Sequence, residues 1–219
     1  QKKDLPFNSI SSTAWTHTIM SKIRNEAEAA SRQLAVEYGE PLWCKGTGMR
    51  NTHVLAIAPT VSNSRIAGCS AGIEPQPANV YTFNGAKGTF IVRNPELEKL
   101  LIEKGKNNNK VWDQILADDG SVMNIPSDIL SEEDKDVFLT FAEINQLELV
   151  RQAATRQKYI DQTQSLNLCF PPTDSPKWIN QVHMEAWKLG IKTLYYLRTD
   201  SVIKGDLGSR TSECISCDG

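Results

Sequence analysis

The 219 residues hold no apolar run approaching the roughly 20 that a membrane-spanning helix needs, so no membrane partner is expected. Charge of one sign is also lacking. Lys and Arg total 24 against 26 Asp and Glu, a net charge of -2, so no nucleic-acid partner is expected. The opening Gln1-Lys-Lys-Asp-Leu-Pro6 has no apolar core, which argues against a signal peptide, and no Met stands at position 1. The chain therefore reads as a segment of something longer. Cysteine is scarce: Cys44, Cys69, Cys169, Cys214 and Cys217 are odd in number and irregular in spacing. That argues against a secreted disulfide scaffold and for a reducing compartment, hence a cytoplasmic location. No internal repeat and no clean linker is present.

The rest of the sequence is patterned. Ile19, Ile23, Ala27, Ala30 and Leu34 recur every three or four residues, which predicts a helix over about 9–38, stopped at Gly39. Its narrow, alanine-rich stripe suits close packing. A loop follows over Trp43–Gly48. His53-Val-Leu-Ala-Ile-Ala58 has the length of a buried strand and leads through Pro59-Thr-Val-Ser-Asn-Ser64 into a helix. Residues 79–94 predict strands around the turn Asn84-Gly-Ala-Lys-Gly88. Helices are predicted over Glu96–Lys104 and Val111–Ala117. A further helix starts at Ser131, with Asp134 in a capping box and with Val137, Phe138, Phe141, Ile144, Leu147 and Ala154 on one face. A strand is predicted around Gln164–Cys169. Ser175-Pro176 opens a helix that ends at Gly190, and Ile191–Leu197 reads as a last strand. Strands alternating with helices imply an α/β fold. Residues 1–199 form one packed region; the polar, Gly- and Ser-rich residues 200–219 read as a flexible tail.

Three features bear on chemistry, each with a plainer reading beside it. Pro59, Thr60, Val61, Ser62 and Asn63 stand between a strand and a helix, where unpaired backbone N–H groups bind anions. The same residues also make an ordinary capped turn. Tyr195-Tyr196 is a pair of neutral phenols, yet aromatics are common in strands and neighbours there point to opposite faces. For the two hydroxyls to touch, the backbone must leave regular strand geometry. Cys214-x-x-Cys217 is close enough to form a disulfide. His17, His53 and His183 have no spacing that would complete a zinc site with it. Two idle thiols are the plainer reading. Cys44, Cys69 and Cys169 read as small core residues, and His183 as a surface or packing residue.

In order along the chain, Ala58-Pro-Thr-Val-Ser-Asn-Ser-Arg-Ile-Ala-Gly-Cys-Ser-Ala-Gly-Ile-Glu-Pro75, Tyr159-Ile-Asp-Gln-Thr-Gln-Ser-Leu-Asn-Leu168 and Leu189-Gly-Ile-Lys-Thr-Leu-Tyr-Tyr-Leu-Arg-Thr199 resemble segments of class I ribonucleotide reductase large subunits. The resemblance spans essentially the whole chain. It implies the C-terminal part of a ten-stranded α/β barrel, and reduction of ribonucleoside diphosphates to deoxyribonucleoside diphosphates. By motif, Pro59, Thr60, Val61, Ser62 and Asn63 match the substrate-diphosphate loop. Tyr195 and Tyr196 match the radical-relay dyad, and Cys214 and Cys217 match the shuttle thiols. The implied partners are the N-terminal portion of the large subunit, a small subunit whose metal cofactor generates the radical, and thioredoxin or glutaredoxin as reductant. No cofactor is expected on this chain itself. There are departures. Val61 can serve the loop only through its backbone N–H. The family's Asn-x-Cys-x-Glu active-site strand and its partner cysteine are not in this chain: Asn167-Leu-Cys169 is followed by Phe170-Pro171 and belongs by position to the late barrel strand, and the N-terminal regulatory regions are missing too. Two rivals stand beside this reading. A thiol redox carrier built on Cys214 and Cys217 would place its Cys pair at a helix start. A phosphate-binding domain without enzyme activity leaves the tyrosines and the terminal thiols unexplained.

Overall fold

The computed structural model describes residues 1–85 and 88–199. Cys214 and Cys217, expected to be shuttle thiols, the expected flexible tail from residue 200, and Ala86 and Lys87 of the hairpin turn lie outside the described residues.

The chain opens with the expected long helix, α1 (Ile10–Tyr38), capped by the Ser9 side chain and ended by Gly39 at φ 79°. Its stripe does not pack as the pattern suggests. Ile19, Ile23 and Leu34 stay 50, 44 and 39% exposed, and only Ser31 and Ala35 are buried. The join to the rest of the fold is polar. Buried Gln152 donates to the Phe7 carbonyl (2.9 Å) and accepts from Thr16 Oγ1 (3.0 Å).

Helix α2 (Val61–Ala67) follows the Pro59–Thr60 turn, and strands β1 (Val80–Gly85) and β2 (Gly88–Arg93) pair antiparallel, Val80 opposite Arg93. Helices α3 (Pro95–Glu103) and α4 (Asn109–Ala117) start at Asn94 and Asn108, whose side chains cap them. With Val80, Val122, Ile125, Leu130 and Phe138 they enclose one apolar cluster centred on Leu97, Leu101, Trp112 and Ile115. Gly120 closes this region at φ 85°, and a Cβ there would meet Ala78 Cα at 2.8 Å and Asn79 N at 3.0 Å. The neighbour is backbone fixed by Asn79 N–H, which donates to the Gly120 carbonyl (3.0 Å), so it cannot give way. Gly120→Ala should therefore destabilise by on the order of 3 kcal/mol, strain and overlap together. A thermal or urea melt of the assembled protein checks this, and an unchanged midpoint would contradict it.

The helix expected from Ser131 to Ala154 is two helices, α5 (Glu132–Val137) and α6 (Gln146–Gln157). The capping box of Ser131 and Asp134 is present. The break has a local cause. Thr140 N–H and Oγ1–H both donate to Glu143 Oε2 at 2.7 Å, and Asn145 caps α6 through Leu147 N–H. These short polar side chains offer the backbone a competing turn. The break also sends the shared apolar face to two places. Phe138 enters the α3–α4 cluster, while Phe141, Ile144 and Ala154 join a second cluster.

That second cluster backs a set of parallel segments. Strand β3 (Leu168–Cys169) pairs parallel with β4 (Leu197–Arg198), and Ile57 bridges Gln164, also parallel. Residues 54–58, 162–170 and 194–198 therefore run side by side in one direction, with 162–170 central. Along the centre, Gln164, Leu166, Leu168 and Phe170 are buried, and Leu166, Leu168 and Phe170 pack on α6 and on α7 (Pro176–Lys188). Ser165, Asn167 and Cys169 alternate with them on the other, half-open face. Parallel segments covered by helices on one face match the α/β expectation.

The strands are shorter than the patterns suggest. Leu166 N–H turns back to the Gln164 carbonyl (3.0 Å), which kinks the centre, and residues 191–196 form no regular ladder. The 53–58 run is also not buried: His53, Ala56 and Ala58 are exposed, because among the described residues its outer edge has no neighbouring strand. Asp161 fastens its start. The carboxylate accepts Val54 N–H (2.8 Å), Leu55 N–H (3.1 Å) and Arg24 Nη1–H (2.8 Å). Burial pushes this carboxyl up, but the two N–H groups and the guanidinium outweigh it and hold it below its ordinary value. Of the three described cysteines, Cys44 is buried and Cys169 half-buried, but Cys69 is exposed, contrary to its reading as a core residue. His183 packs over Phe170, with ring centroids 6.4 Å apart, and its Nδ1 lies 2.8 Å from the Ile179 carbonyl.

Candidate functional site

The loop and the tyrosines meet at the centre of the parallel segments. Ile57 sits opposite Gln164, so the turn at Pro59–Thr60 is level with Leu166–Asn167. Leu197 sits opposite Leu168, so Tyr195 and Tyr196 are level with the same two residues from the other side. Two strand spacings, about 10 Å, separate the two features across the centre.

At the loop, Thr60 N–H donates to the Ala71 carbonyl (2.9 Å), which ties the start of α2 to the segment leaving it. The Thr60 side chain does not cap the helix; its hydroxyl donates to the same carbonyl at 3.3 Å. The first turn of α2, Val61, Ser62 and Asn63, thus begins without the usual side-chain cap, and helix geometry alone leaves those N–H groups unused. Ser62 and Asn63 are exposed and Pro59 half-buried.

At the dyad, the Tyr195 hydroxyl donates to the Tyr196 hydroxyl at 3.3 Å, long for an O–H···O bond. The ring centroids lie 4.1 Å apart at 45°. Adjacent residues of a regular strand cannot do this. The backbone shows how it is done: Tyr195 N–H donates to the Leu166 carbonyl (2.8 Å), and the next N–H, of Tyr196, also turns to the central segment, onto Asn167 Oδ1 (3.2 Å). Two successive N–H groups facing one neighbour is a departure from extended geometry, and it brings both rings to one side. Tyr195 is 47% exposed and Tyr196 half-buried. The Arg198 guanidinium stands 4.8 Å from the Tyr196 ring centroid, and its buried Nε and Nη2 have no hydrogen-bond partner among the described residues. A cation over a phenol ring favours electron density on that ring.

Beneath the site lies a buried polar layer. Gln164, 1% exposed, donates to the Ala153 carbonyl (2.8 Å) and to Gln157 Oε1 (3.0 Å), and accepts from Arg156 Nε (3.1 Å). Burial lowers the Arg156 guanidinium to about 10, with the Glu74 carboxylate opposing that shift. Glu74 Oε1 also accepts Asn167 N–H at 2.6 Å, a charge-assisted bond. Glu74 and Asn167 both lie in segments that carry the resemblance, but nothing in the sequence pairs them. Only the folded chain brings residues 93 positions apart into contact.

The comparisons with known proteins fit this geometry. Residues 43–197 match the family model described as "Ribonucleotide reductase, barrel domain". The chain is similar to the ribonucleoside-diphosphate reductase large subunit of Invertebrate iridescent virus 6, 38% identical over 94% of this chain and 22% of that protein. It is similar to that of Invertebrate iridescent virus 3, 36% identical over all of this chain and 36% of that protein. Among solved structures, the Actinobacillus ureae class Id ribonucleotide reductase alpha subunit superposes with a TM-score of 0.84 at 39% identity, over 91% of this chain and 36% of that one. The chain thus spans about a fifth to two fifths of the length of these relatives. Parallel segments backed by α6 and α7 are then part of an α/β barrel, and the chain belongs to the ribonucleotide reductase barrel-domain family.

Proposed function

We propose that this chain supplies the C-terminal part of the large subunit of a ribonucleoside-diphosphate reductase. In this reading the assembled enzyme converts ribonucleoside diphosphates to deoxyribonucleoside diphosphates in the cytoplasm. Residues 1–199 contribute to the barrel and 200–219 form the reducing arm. The partners are the N-terminal portion of the large subunit, a small subunit whose metal centre generates the radical, and thioredoxin or glutaredoxin. The observation that carries the proposal is the Tyr195–Tyr196 hydroxyl pair, held on one side of an irregular segment in a chain of this family. Each phenol O–H gives up its hydrogen as proton and electron and later takes it back, so the pair hands a radical along without net consumption.

The loop has its own task. Val61, Ser62 and Asn63 present N–H groups at the start of α2, where a diphosphate is met by oriented donors and by the positive end of the helix. The test is Ser62→Pro against Ser62→Ala in the assembled enzyme. Proline deletes one donor that the helix does not use. Loss of one hydrogen bond to a charged group, about 2 kcal/mol, raises the nucleotide KM roughly thirtyfold. Alanine keeps the N–H and should stay within about threefold of the parent. Equal, negligible effects from both changes would make this an ordinary turn.

A further inference from the structure

We propose that Glu74 is a positioning residue for the tyrosine pair, setting through Asn167 where the Tyr196 phenol sits. The inference rests on the relay reading given under Proposed function. In an extended strand successive N–H groups point to opposite sides, and so do the side chains. Tyr195 and Tyr196 instead aim both N–H groups at the central segment. The rotation that turns the Tyr196 N–H inward is the same one that brings its ring beside Tyr195. That rotation removes the Tyr196 N–H from any regular ladder, so it persists only if another acceptor waits there. Asn167 Oδ1 is that acceptor, at 3.2 Å.

Asn167 is in turn held from the loop side. Its own N–H donates to Glu74 Oε1 at 2.6 Å. Glu74 lies three residues beyond Ala71, whose carbonyl accepts Thr60 N–H, so the carboxylate is part of the segment hooked to the α2 loop. The same carboxylate acts electrostatically on the buried charge of Arg156, whose Nη2 has no hydrogen-bond partner among the described residues. The carboxylate folds back over Gly72, and a Cβ at Gly72 would overlap Glu74 Oε2. A Cβ there is allowed by the backbone, whose φ lies outside the left-handed region, but it would displace the Glu74 carboxylate. The order of contacts is therefore loop segment, Glu74, Asn167, Tyr196. Neither Glu74 nor Asn167 reaches a phenol oxygen in these contacts, so each acts through the backbone of the relay residue.

Three variants separate positioning from general stability: Glu74→Ala, which removes the acceptor; Gly72→Ala, which keeps the carboxylate but displaces it; and Glu74→Gln, which keeps a neutral acceptor in place. Each is read in the assembled reductase by nucleotide kcat and KM and by hydrogen exchange at the Tyr196 amide. Glu74→Ala and Gly72→Ala should lower kcat about tenfold or more while KM stays within about twofold. Both should speed Tyr196 amide exchange about tenfold, while Glu74→Gln remains within about threefold of the parent on each measure. If Glu74→Ala fails to assemble, Gly72→Ala decides, since it displaces only the end of a flexible side chain. Unchanged Tyr196 exchange in the displaced-carboxylate variants overturns the proposal. So does faster exchange with full turnover, or a Gln variant as impaired as the Ala variant. Failure of the relay reading itself would show differently, as an active Tyr196→Phe enzyme, whatever the exchange rates.

Discussion

Tyr195→Phe and Tyr196→Phe are each expected to abolish turnover in the assembled enzyme while leaving folding and nucleotide binding intact. Phenylalanine keeps the ring and its packing, and removes only the O–H bond that a relay must break and remake. The hydroxyls touch each other at 3.3 Å, so removal of either one breaks the contact between them. A purely structural role makes a different forecast. One lost hydrogen bond between half-exposed hydroxyls is worth about 1 kcal/mol of stability, with activity near normal. The two forecasts differ by orders of magnitude in kcat, so steady-state turnover beside a thermal melt separates them. An enzyme with Phe at either position and near-parent kcat would remove the relay from this account.

The second large effect is expected at Cys214 and Cys217. In the proposed cycle, reduction of substrate leaves a disulfide in a site that a bulky reductase cannot enter. A terminal arm can enter it. One thiolate attacks the disulfide to give a mixed disulfide, the second thiol resolves it, and the arm leaves oxidised, two electrons and two protons having passed inward. Thioredoxin or glutaredoxin then reduces the arm outside. Cys214→Ser or Cys217→Ser stops one half of this exchange. Turnover with thioredoxin should fall below detection in both variants. Turnover with a small dithiol, which diffuses to the site directly, should survive. Full thioredoxin-driven activity in both variants would show that the pair is not the shuttle. Loss with the small dithiol as well would place these thiols in another role.

Local chemistry was the legible part of this fold. Ser131 and Ser175 announce helix starts and Gly39 a helix end, because caps are decided by residues within one turn. What depends on distant partners was not legible, and one local turn was missed as well. The α5–α6 break is set by Thr140, Glu143 and Asn145, whose side chains bond to nearby backbone or to one another and so interrupt a pattern that otherwise reads as one helix. His53–Ala58 looks like a buried strand from its apolar run, yet burial depends on neighbours on both edges, and one edge is bare among the described residues. Trp15, Ile19 and Ile23 of α1 are likewise exposed despite their apolar pattern. At the site, the tyrosine pair was visible as two letters. Its contact was not, because the backbone departure that permits it is rewarded by Asn167, 29 residues away. The sequence motifs named the loop and the dyad; the parallel register of residues 54–58, 162–170 and 194–198 is what sets them on either side of one central segment.

The central claim is that this chain is the relay-bearing, C-terminal part of a ribonucleoside-diphosphate reductase. The most direct measurement is reconstitution. The purified chain, the N-terminal portion of the large subunit and the radical-generating small subunit are assayed singly, in pairs and together for conversion of a ribonucleoside diphosphate to its deoxy form, with thioredoxin present. The account predicts no product from the chain alone or from any pair, and sustained turnover from the three together. Turnover by the chain alone, or by the other two components without it, would contradict the account.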